Sequence, residues 1–248
     1  MSDSPNILKS ETSGGRPPFI SWRQGGIRYA DNIDEKGETL TLDFTGKALY
    51  ADGIWRQLYG GIKLKPIACE DIFGNSNPLN LEIGIGNGEF IANYAASVPS
   101  ENWLGVEVFK KVFKAAEKRA NRVPHDNIRV IQFDAALILR LIADNSLKNI
   151  FVNFPDPWPK KRHNRRRLLK TDFLKLASSK LELGGLLQIA TDHSGYAAEI
   201  EENLKDVSGL RSIYETAYVR DIDGYFPTKY YRKFAADGGA YFFRYEKI

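Results

Sequence analysis

The chain has 248 residues, of which 43% are hydrophobic and 27% are charged. This balance is typical of a globular protein, and it excludes a disordered chain and a membrane-embedded helical bundle. Cys69 is the single cysteine, which excludes an intramolecular disulfide and a cysteine-based zinc site. The N-terminus lacks a signal-peptide core, and no later apolar run is long enough to span a bilayer. We therefore expect a cytoplasmic protein with no membrane partner.

Positive charge is concentrated in one segment, although the net charge is only +4. Between residues 160 and 170 there are seven basic side chains and no acidic one. These are Lys160, Lys161, Arg162, Arg165, Arg166, Arg167 and Lys170. Such a local concentration predicts a docking surface for a polyanion, although a solvated basic loop has the same composition.

The first part of the chain differs in composition from the rest. Residues 1–18 are rich in Ser, Gly, Pro and charged residues, which predicts a flexible N-terminal tail. Residues 19–77 form an N-terminal extension whose structure the pattern leaves open, although residues 39–44 alternate like a short strand. Residues 78–248 have a regular pattern, and we assign this range to one α/β domain.

Strands and helices alternate along this domain. Buried strands are predicted over residues 79–85, 102–108, 127–133, 148–154 and 185–191. Helices are predicted over residues 88–98, 109–122, 135–143, 172–182 and 195–206, and a final pair of antiparallel strands over 212–220 and 239–247. Such alternation predicts right-handed crossovers and a doubly wound, mostly parallel, Rossmann-like sheet that ends in an antiparallel strand pair.

A glycine-rich turn follows the first of these strands. The segment from Glu82 to Gly88 reads E-I-G-I-G-N-G, with glycines at positions 84, 86 and 88. Its place between a strand and a helix is the context that a nucleotide-binding turn needs, because glycine lets main-chain amides approach a ligand closely. The spacing differs from the dinucleotide form G-x-G-x-x-G, and a simple tight turn between strand and helix is the alternative.

Acidic residues end three successive predicted strands. Glu82, Glu107 and Asp134 stand at the carboxyl ends of the strands, where an open α/β sheet binds its ligand. A carboxylate at Glu107 can accept hydrogen bonds from both hydroxyls of a ribose, and Asp134 can accept one from the amino group of adenine. Glu82 can face an ammonium group. Three acids fit a cationic sulfonium ligand better than a pyrophosphate, although each acid taken alone can be merely solvated.

The most specific motif follows the fourth strand of the domain. Residues 153–167 read N-F-P-D-P-W-P-K-K-R-H-N-R-R-R. This segment resembles the tRNA (guanine-N7-)-methyltransferases, whose hallmark is P-D-P-W followed by a Lys/Arg/His run. The resemblance extends from about Pro78 to the C-terminus and includes G-V-E, F-D-A and A-T-D segments. It implies a class I methyltransferase domain over residues 78–248, S-adenosylmethionine as cofactor and tRNA as the partner.

The resemblance also implies roles for individual residues. The expected cofactor contacts are Glu82, Gly84, Gly86, Glu107, Asp134 and Ala135. The expected catalytic residue is Asp156, and the expected substrate contacts are Lys160, Arg162, Asp192, Thr228 and Lys229. The family's T-K-F-E segment corresponds here to residues 228–231, where Tyr231 replaces the acid. No residue is assigned to a metal ion, since His163 has no second ligand at a suitable spacing.

The expected reaction is methylation of guanine N7 in the variable loop of tRNA. Guanine N7 carries an in-plane lone pair and no proton, so no general base is needed. Alignment of N7 with the methyl donor then supplies much of the acceleration, and Asp156 stabilises the positive charge that moves onto the purine. Proline on either side of Asp156 stiffens its loop. Trp158 is either a packing residue or a platform for a base.

Two other functions stay open from the sequence. One is a methyltransferase-like RNA-binding protein that has lost catalysis, which Tyr231 favours and the intact acids disfavour. The other is a methyltransferase for another RNA. A monomer and a homodimer are both compatible with the sequence, as is a requirement for a separate protein subunit.

Overall fold

The structure is a computed structural model that describes residues 39–40, 46–50, 63–64, 66–234 and 239–248. The predicted tail (residues 1–18) and residues 41–44 of the predicted first strand lie outside these ranges. The strands are β1 (Thr39–Leu40), β2 (Ala48–Tyr50), β3 (Lys63–Leu64), β4 (Leu79–Ile83), β5 (Asn102–Glu107), β6 (Ile128–Gln132), β7 (Leu147–Asn153), β8 (Leu181–Thr191), β9 (Leu210–Ser212) and β10 (Tyr241–Lys247). The helices are α1 (Cys69–Phe73), α2 (Glu89–Ser97), α3 (Lys110–Ala120), α4 (Ala135–Leu141), a 3₁₀ helix (Lys161–Arg166), α5 (Thr171–Lys180), α6 (Ser194–Lys205) and α7 (Lys229–Phe234).

Eight of the strands form one sheet in the order β2-β6-β5-β4-β7-β8-β10-β9. Neighbours from β2 to β8 pair in parallel, while β10 runs antiparallel to both β8 and β9. The predicted doubly wound, mostly parallel sheet with an antiparallel C-terminal pair is confirmed. Within the N-terminal extension, β2 joins the edge of this sheet beside β6, and β1 pairs with β3 in a separate two-stranded sheet.

Helices cover both faces of the sheet, and strands β4, β5 and β6 are therefore buried along their whole length. Side chains alternate between the two faces. Trp103 of β5 packs in a hydrophobic cluster with α2 and α3, whereas Leu104 belongs to the cluster formed with α4, α5 and α6. The strand order reverses at β4, which pairs with β5 on one side and β7 on the other. A ligand is expected in the crevice at the carboxyl ends of these strands.

The strand predicted over residues 212–220 is wrong for most of its length. Strand β9 ends at Ser212, and Val219 forms only an isolated bridge with Phe242. Between Ser212 and Val219, hydrogen bonds within the segment replace the backbone pairing of a strand. The Ser212 hydroxyl accepts from the Tyr214 amide at 3.1 Å and donates to the Thr216 carbonyl at 2.7 Å. Serine and threonine side chains that bond to nearby backbone offer the chain an alternative to strand pairing.

Three helices are absent from the sequence prediction: α1, the 3₁₀ helix and α7. They contain 5, 6 and 6 residues, too few to show a helical period in the sequence. The 3₁₀ helix occupies part of the segment that was predicted to be a basic loop. In the described ranges, no helix combines the length and the apolar character needed to cross a membrane.

Candidate active site

The glycine-rich turn joins β4 to α2 at the crevice. Gly84, Gly86 and Gly88 have φ angles of 72°, 54° and 76°, in the left-handed region that favours glycine. A Cβ atom at Gly88 would lie 2.9 Å from Cα of Ala116, so this glycine also permits close packing of the turn on α3. A Cβ atom at Gly84 or Gly86 would meet no neighbour within 4 Å. The space beside these two glycines is therefore open to a ligand.

Glu107, the last residue of β5, is tied to this turn. Its carboxylate accepts hydrogen bonds from the amide of Gly86 at 3.0 Å and from the amide of Phe109 at 2.8 Å. Burial raises the pKa of Glu107, while these backbone hydrogen bonds oppose the increase. A carboxylate has about four acceptor positions, so both oxygens retain capacity for ligand hydroxyls.

Glu82, in β4, is almost completely buried, with 2% of its surface exposed. Its Oε1 atom accepts a hydrogen bond from Asn153 Nδ2 at 3.2 Å, and Asn153 Oδ1 in turn accepts from the Tyr225 hydroxyl at 3.2 Å. The Oε2 atom is buried and has no hydrogen-bond partner of normal geometry among the described residues, although the backbone amide of Ile91 also favours the charged carboxylate. Burial raises the pKa of Glu82 to about 8. An unpaired buried acceptor is costly, and a ligand that donates to it would remove that cost.

Glu82 lines a cavity of about 290 Å³ at the crevice. The cavity walls combine the glycine turn, the start of α2, the end of β7 and the segment at Thr228 and Tyr230. Asp134 and Ala135 do not contribute to these walls. Asp134 is instead the N-cap of α4, where its Oδ1 accepts from the amides of Ala136 at 2.9 Å and Leu137 at 3.1 Å.

The loop that carries Asp156 has an unusual backbone. Phe154 and Trp158, on either side of Asp156, have φ angles of 50° and 44°. Such a conformation costs a residue other than glycine about 1–3 kcal/mol, and it persists only where the surrounding structure holds it. Asp156 itself is exposed, and its charge adds to burial in raising the pKa of both Glu107 and Tyr230. Asp156 is not among the residues that line the cavity, whereas Phe154 of the same loop is.

The structure divides the basic segment into two groups. Lys160, Arg162, Arg165 and Arg166 are exposed. Arg167 is buried, and both Arg167 and Lys170 form ion pairs with Glu199 of α6. The predicted docking surface therefore does not extend to Arg167, because this side chain is buried and pairs with an acid of the protein itself. The guanidinium of Arg166 lies 4.9 Å from the ring centroid of Trp158.

The Thr228–Tyr231 segment begins α7 beside the cavity. The Thr228 hydroxyl accepts from the Tyr231 amide at 3.2 Å, and the Tyr230 hydroxyl donates to Asp192 Oδ2 at 3.1 Å. Tyr231 packs among aromatic side chains, with ring centroids 5.2 Å from Tyr225 and 6.1 Å from Phe242. Tyr231 thus has a packing role where the sequence resemblance implies an acid.

Glu89 supplies a carboxylate to this segment, and the sequence reasoning missed it. Its Oε2 accepts from the backbone amide of Lys229 at 2.7 Å, and its Oε1 pairs with Arg232 at 3.2 Å. Glu89 is the first residue of α2, directly after the glycine turn. The two partners are 140 positions or more apart in the chain, so no local pattern links them. The acid joins the start of α2 to the segment across the cavity.

A doubly wound sheet that ends in an antiparallel strand pair, with a glycine turn and buried acids at its switch point, is the architecture of class I methyltransferases. A family model described as a putative methyltransferase matches residues 76–243. Among solved structures, TrmN from Thermus thermophilus superimposes with a TM-score of 0.50 at 19% sequence identity, covering 69% of this chain and 44% of that chain. This similarity concerns the fold alone.

Sequence comparison gives the family. A tRNA (guanine-N(7)-)-methyltransferase of Buchnera aphidicola is 35% identical over 184 residues, which cover 74% of this chain and 75% of the relative. One from Thermotoga maritima is 37% identical over 175 residues, which cover 70% of this chain and 55% of the relative. One from Geobacter metallireducens is 37% identical over 179 residues, which cover 71% of this chain and 85% of the relative. The chain belongs to the tRNA (guanine-N7-)-methyltransferase family.

We expect Glu82→Gln to stabilise the protein, and to do so most at alkaline pH. The pKa of Glu82 is about 8 in the folded protein, against 4.5 for an unperturbed glutamate. Between these values the unfolded chain releases the proton and the folded chain retains it, so stability is lost as the pH rises through 8. The glutamine side chain has a similar shape but does not ionise, so the stability of the variant lacks this dependence on pH. In urea unfolding at about pH 5 and about pH 9, the advantage of the variant should grow with pH; an equal advantage at both would contradict it.

Glu89→Ala is expected to loosen the start of α7. Removing the carboxylate leaves the Lys229 amide and the Arg232 guanidinium without this partner, so local opening becomes easier. Hydrogen exchange at residues 228–234 should accelerate, while Glu89→Gln, which can still accept from the Lys229 amide, should have a smaller effect. Glu70→Ala, at an exposed acid of α1, is the matched control. Equal exchange in the Glu89→Ala and Glu70→Ala proteins would show that Glu89 does not hold α7.

Proposed function

We propose that this protein transfers a methyl group from S-adenosylmethionine to N7 of a guanosine in the variable loop of tRNA. The observation that carries the proposal is the position of Asp156, on a strained loop next to a cavity that contains an unpaired buried carboxylate oxygen. The names of the relatives, all tRNA (guanine-N(7)-)-methyltransferases, support the choice of substrate.

The cavity lining includes Glu82 and the glycine turn, while Glu107, Asp134 and Ala135 lie outside it. Glu82 would accept the ammonium group of the methionine part, which would satisfy its unpaired oxygen. Glu107 would accept the ribose hydroxyls, and Gly84 and Gly86 leave the space for close backbone approach. Asp134 and Ala135, at the start of the next helix, are proposed to hold the adenine. S-Adenosylmethionine, when bound, supplies an electrophilic methyl group on a positively charged sulfur.

The chain's own contribution to the reaction is positioning and charge. Guanine N7 needs no general base, so Asp156 is not required to remove a proton. We assign to Asp156 the hydrogen bond to the N1 and N2 edge of guanine, which orients the ring and stabilises the positive charge that it gains.

Of the proposed substrate contacts, Thr228 lines this cavity, and the others are proposed to bind the RNA outside it. Lys160 and Arg162 are exposed, so they can bind phosphates of the tRNA. Asp192 bonds to Tyr230, and Thr228 and Lys229 begin α7 at the cavity wall. We therefore propose that the target nucleotide enters between the Asp156 loop and α7.

We also propose that the chain is divided into three parts. Residues 1–18 form the tail, residues 19–77 an N-terminal extension and residues 78–248 the methyltransferase domain. The pairing of β2 with β6 supports an extension that is integrated with the domain through its sheet.

Asp156→Ala and Asp156→Asn are expected to lower kcat for tRNA methylation by about 10²- to 10³-fold, because a stabilising charge is lost from the transition state. The assay uses unmodified tRNA and labelled S-adenosylmethionine, and the product is mapped by cleavage at 7-methylguanosine. Both variants should bind the cofactor as the wild type does. Asp172→Asn, at an exposed acid of α5, is the control and should keep full activity.

Each result of this assay has a clear meaning. Cleavage at a single site in the variable loop, lost in the Asp156 variants, supports the proposal. Labelling of a different nucleotide contradicts the proposed substrate and indicates a methyltransferase for another RNA position. Cofactor binding without transfer to any tRNA contradicts the proposed activity and indicates a non-catalytic RNA-binding protein or a missing subunit.

The affinity for S-adenosylmethionine is expected to rise as the pH increases toward 8. The ammonium group binds the ionised form of Glu82, which becomes abundant only near its pKa of about 8. Calorimetric titration at several pH values should show this increase in the wild type. In Glu82→Gln the affinity should be lower and should depend less on pH. A wild-type affinity that is independent of pH between about pH 6 and about pH 8.5 would contradict the assignment of Glu82.

A further inference from the structure

Arg167 lies within the basic segment, but it has the surroundings of a core residue. Only 7% of its surface is exposed, whereas its neighbours Arg165 and Arg166 are exposed. A buried guanidinium must be paired, because an isolated buried charge is very costly. The contacts of Arg167 therefore indicate what it does, and none of them leaves it available to an RNA phosphate.

Arg167 makes three contacts, each in a different direction. Its Nε donates a hydrogen bond to the carbonyl oxygen of Pro157 at 2.7 Å. Its Nη1 pairs with the carboxylate of Glu199. Its guanidinium carbon lies 4.9 Å from the ring centroid of Tyr196. A planar guanidinium satisfies all three at once, and a lysine ammonium does not.

Two of the partners of Arg167, Tyr196 and Glu199, lie on α6. Tyr196 is completely buried, and its hydroxyl accepts from the Leu169 amide at 3.1 Å. Glu199 also pairs with Lys170. Burial favours the neutral form of Glu199, but the hydrogen bonds from Lys170 and Arg167 outweigh it and lower the pKa. Glu199 is therefore ionised, and the Arg167 ion pair persists at neutral pH.

The Pro157 carbonyl belongs to the strained part of the Asp156 loop. Trp158, the next residue, has a φ of 44° and Phe154, before the loop, has a φ of 50°. On the N-terminal side of the loop, the Phe154 amide donates a hydrogen bond to the Ala190 carbonyl at 2.8 Å. The Arg167 bond to Pro157 holds the opposite side. Asp156 thus lies between two anchored points, and without them the strained backbone is expected to relax.

We propose that Arg167 is a positioning residue for Asp156. It fixes the Pro157 carbonyl to α6 and so keeps the Asp156 carboxylate at the cavity. The inference rests on the proposed function of Asp156. It assigns two roles to one run of arginines: the exposed ones bind tRNA phosphates, and Arg167 holds the catalytic loop.

The test compares Arg167→Met with the matched variant Arg165→Met, together with Arg167→Lys and Glu199→Gln. We expect Arg167→Met to lower kcat by about 10- to 100-fold, since small misplacements at a reacting centre have effects of this size. The KM for tRNA and its salt dependence should stay unchanged. Arg165→Met should instead raise the KM for tRNA and reduce the slope of log K against log salt by about one.

The remaining variants separate positioning from folding. Arg167→Lys and Glu199→Gln retain part of the contact set, so a loss of kcat smaller than that of Arg167→Met is expected. Each variant should bind S-adenosylmethionine with the wild-type Kd, which reports an intact cofactor cavity. Hydrogen exchange at Asp156, Trp158 and Lys160 should accelerate in Arg167→Met and not in Arg165→Met, a result that does not depend on activity.

Three results would overturn the inference. One is an Arg167→Met enzyme with wild-type kcat. Another is an Arg167→Met enzyme with the raised KM and reduced salt slope expected of Arg165→Met, which would make Arg167 an RNA contact. If Arg167→Met does not fold, unchanged kcat in both Arg167→Lys and Glu199→Gln decides against the inference. Failure of the wild type to methylate tRNA would instead contradict the proposed function, while the exchange measurement still reports on the loop.

Discussion

The burial of Glu82 without a complete set of hydrogen-bond partners is the constraint around which the site is built. Its carboxylate stands at the end of a central strand, between two helical layers, with Oε1 bonded to Asn153 and Oε2 unpaired among the described residues. In a core without a ligand an apolar residue would be more stable there, so the acid carries a cost that a bound cation would offset. The cavity opens at this point because β4 is where the strand order reverses.

A second group of interactions connects the two sides of the cavity. Glu89 bonds to the backbone at the start of α7, and Tyr225 reaches Glu82 through Asn153. The helix α2 and the C-terminal segment are therefore joined by polar contacts that both depend on acids next to the glycine turn. Tyr231 does not take part in these polar contacts, because it packs against Tyr225 and Phe242.

Most of the fold followed from periodicity, and the exceptions have local causes. The five predicted parallel strands and the five predicted helices all occur, with ends that differ by a few residues. Buried parallel strands and amphipathic helices give strong signals because each must bury an apolar face. The segment after Ser212 has the composition of a strand, and its side-chain to backbone hydrogen bonds do not show in the sequence pattern. The strand prediction was therefore wrong there. The helix α7 was missed because six residues carry no period.

The fold class, the glycine turn, the acids at the strand ends and the P-D-P-W loop are predictable from the sequence, because each of these depends on residues close together in the chain. The pairing of charges inside the protein becomes evident only in the folded chain. Arg167 and Arg165 are equal members of one basic run, yet Glu199 in α6 neutralises the first and not the second. Glu89 gained its partners from residues far along the chain. Charge pairing depends on distance in space, which composition and spacing do not contain.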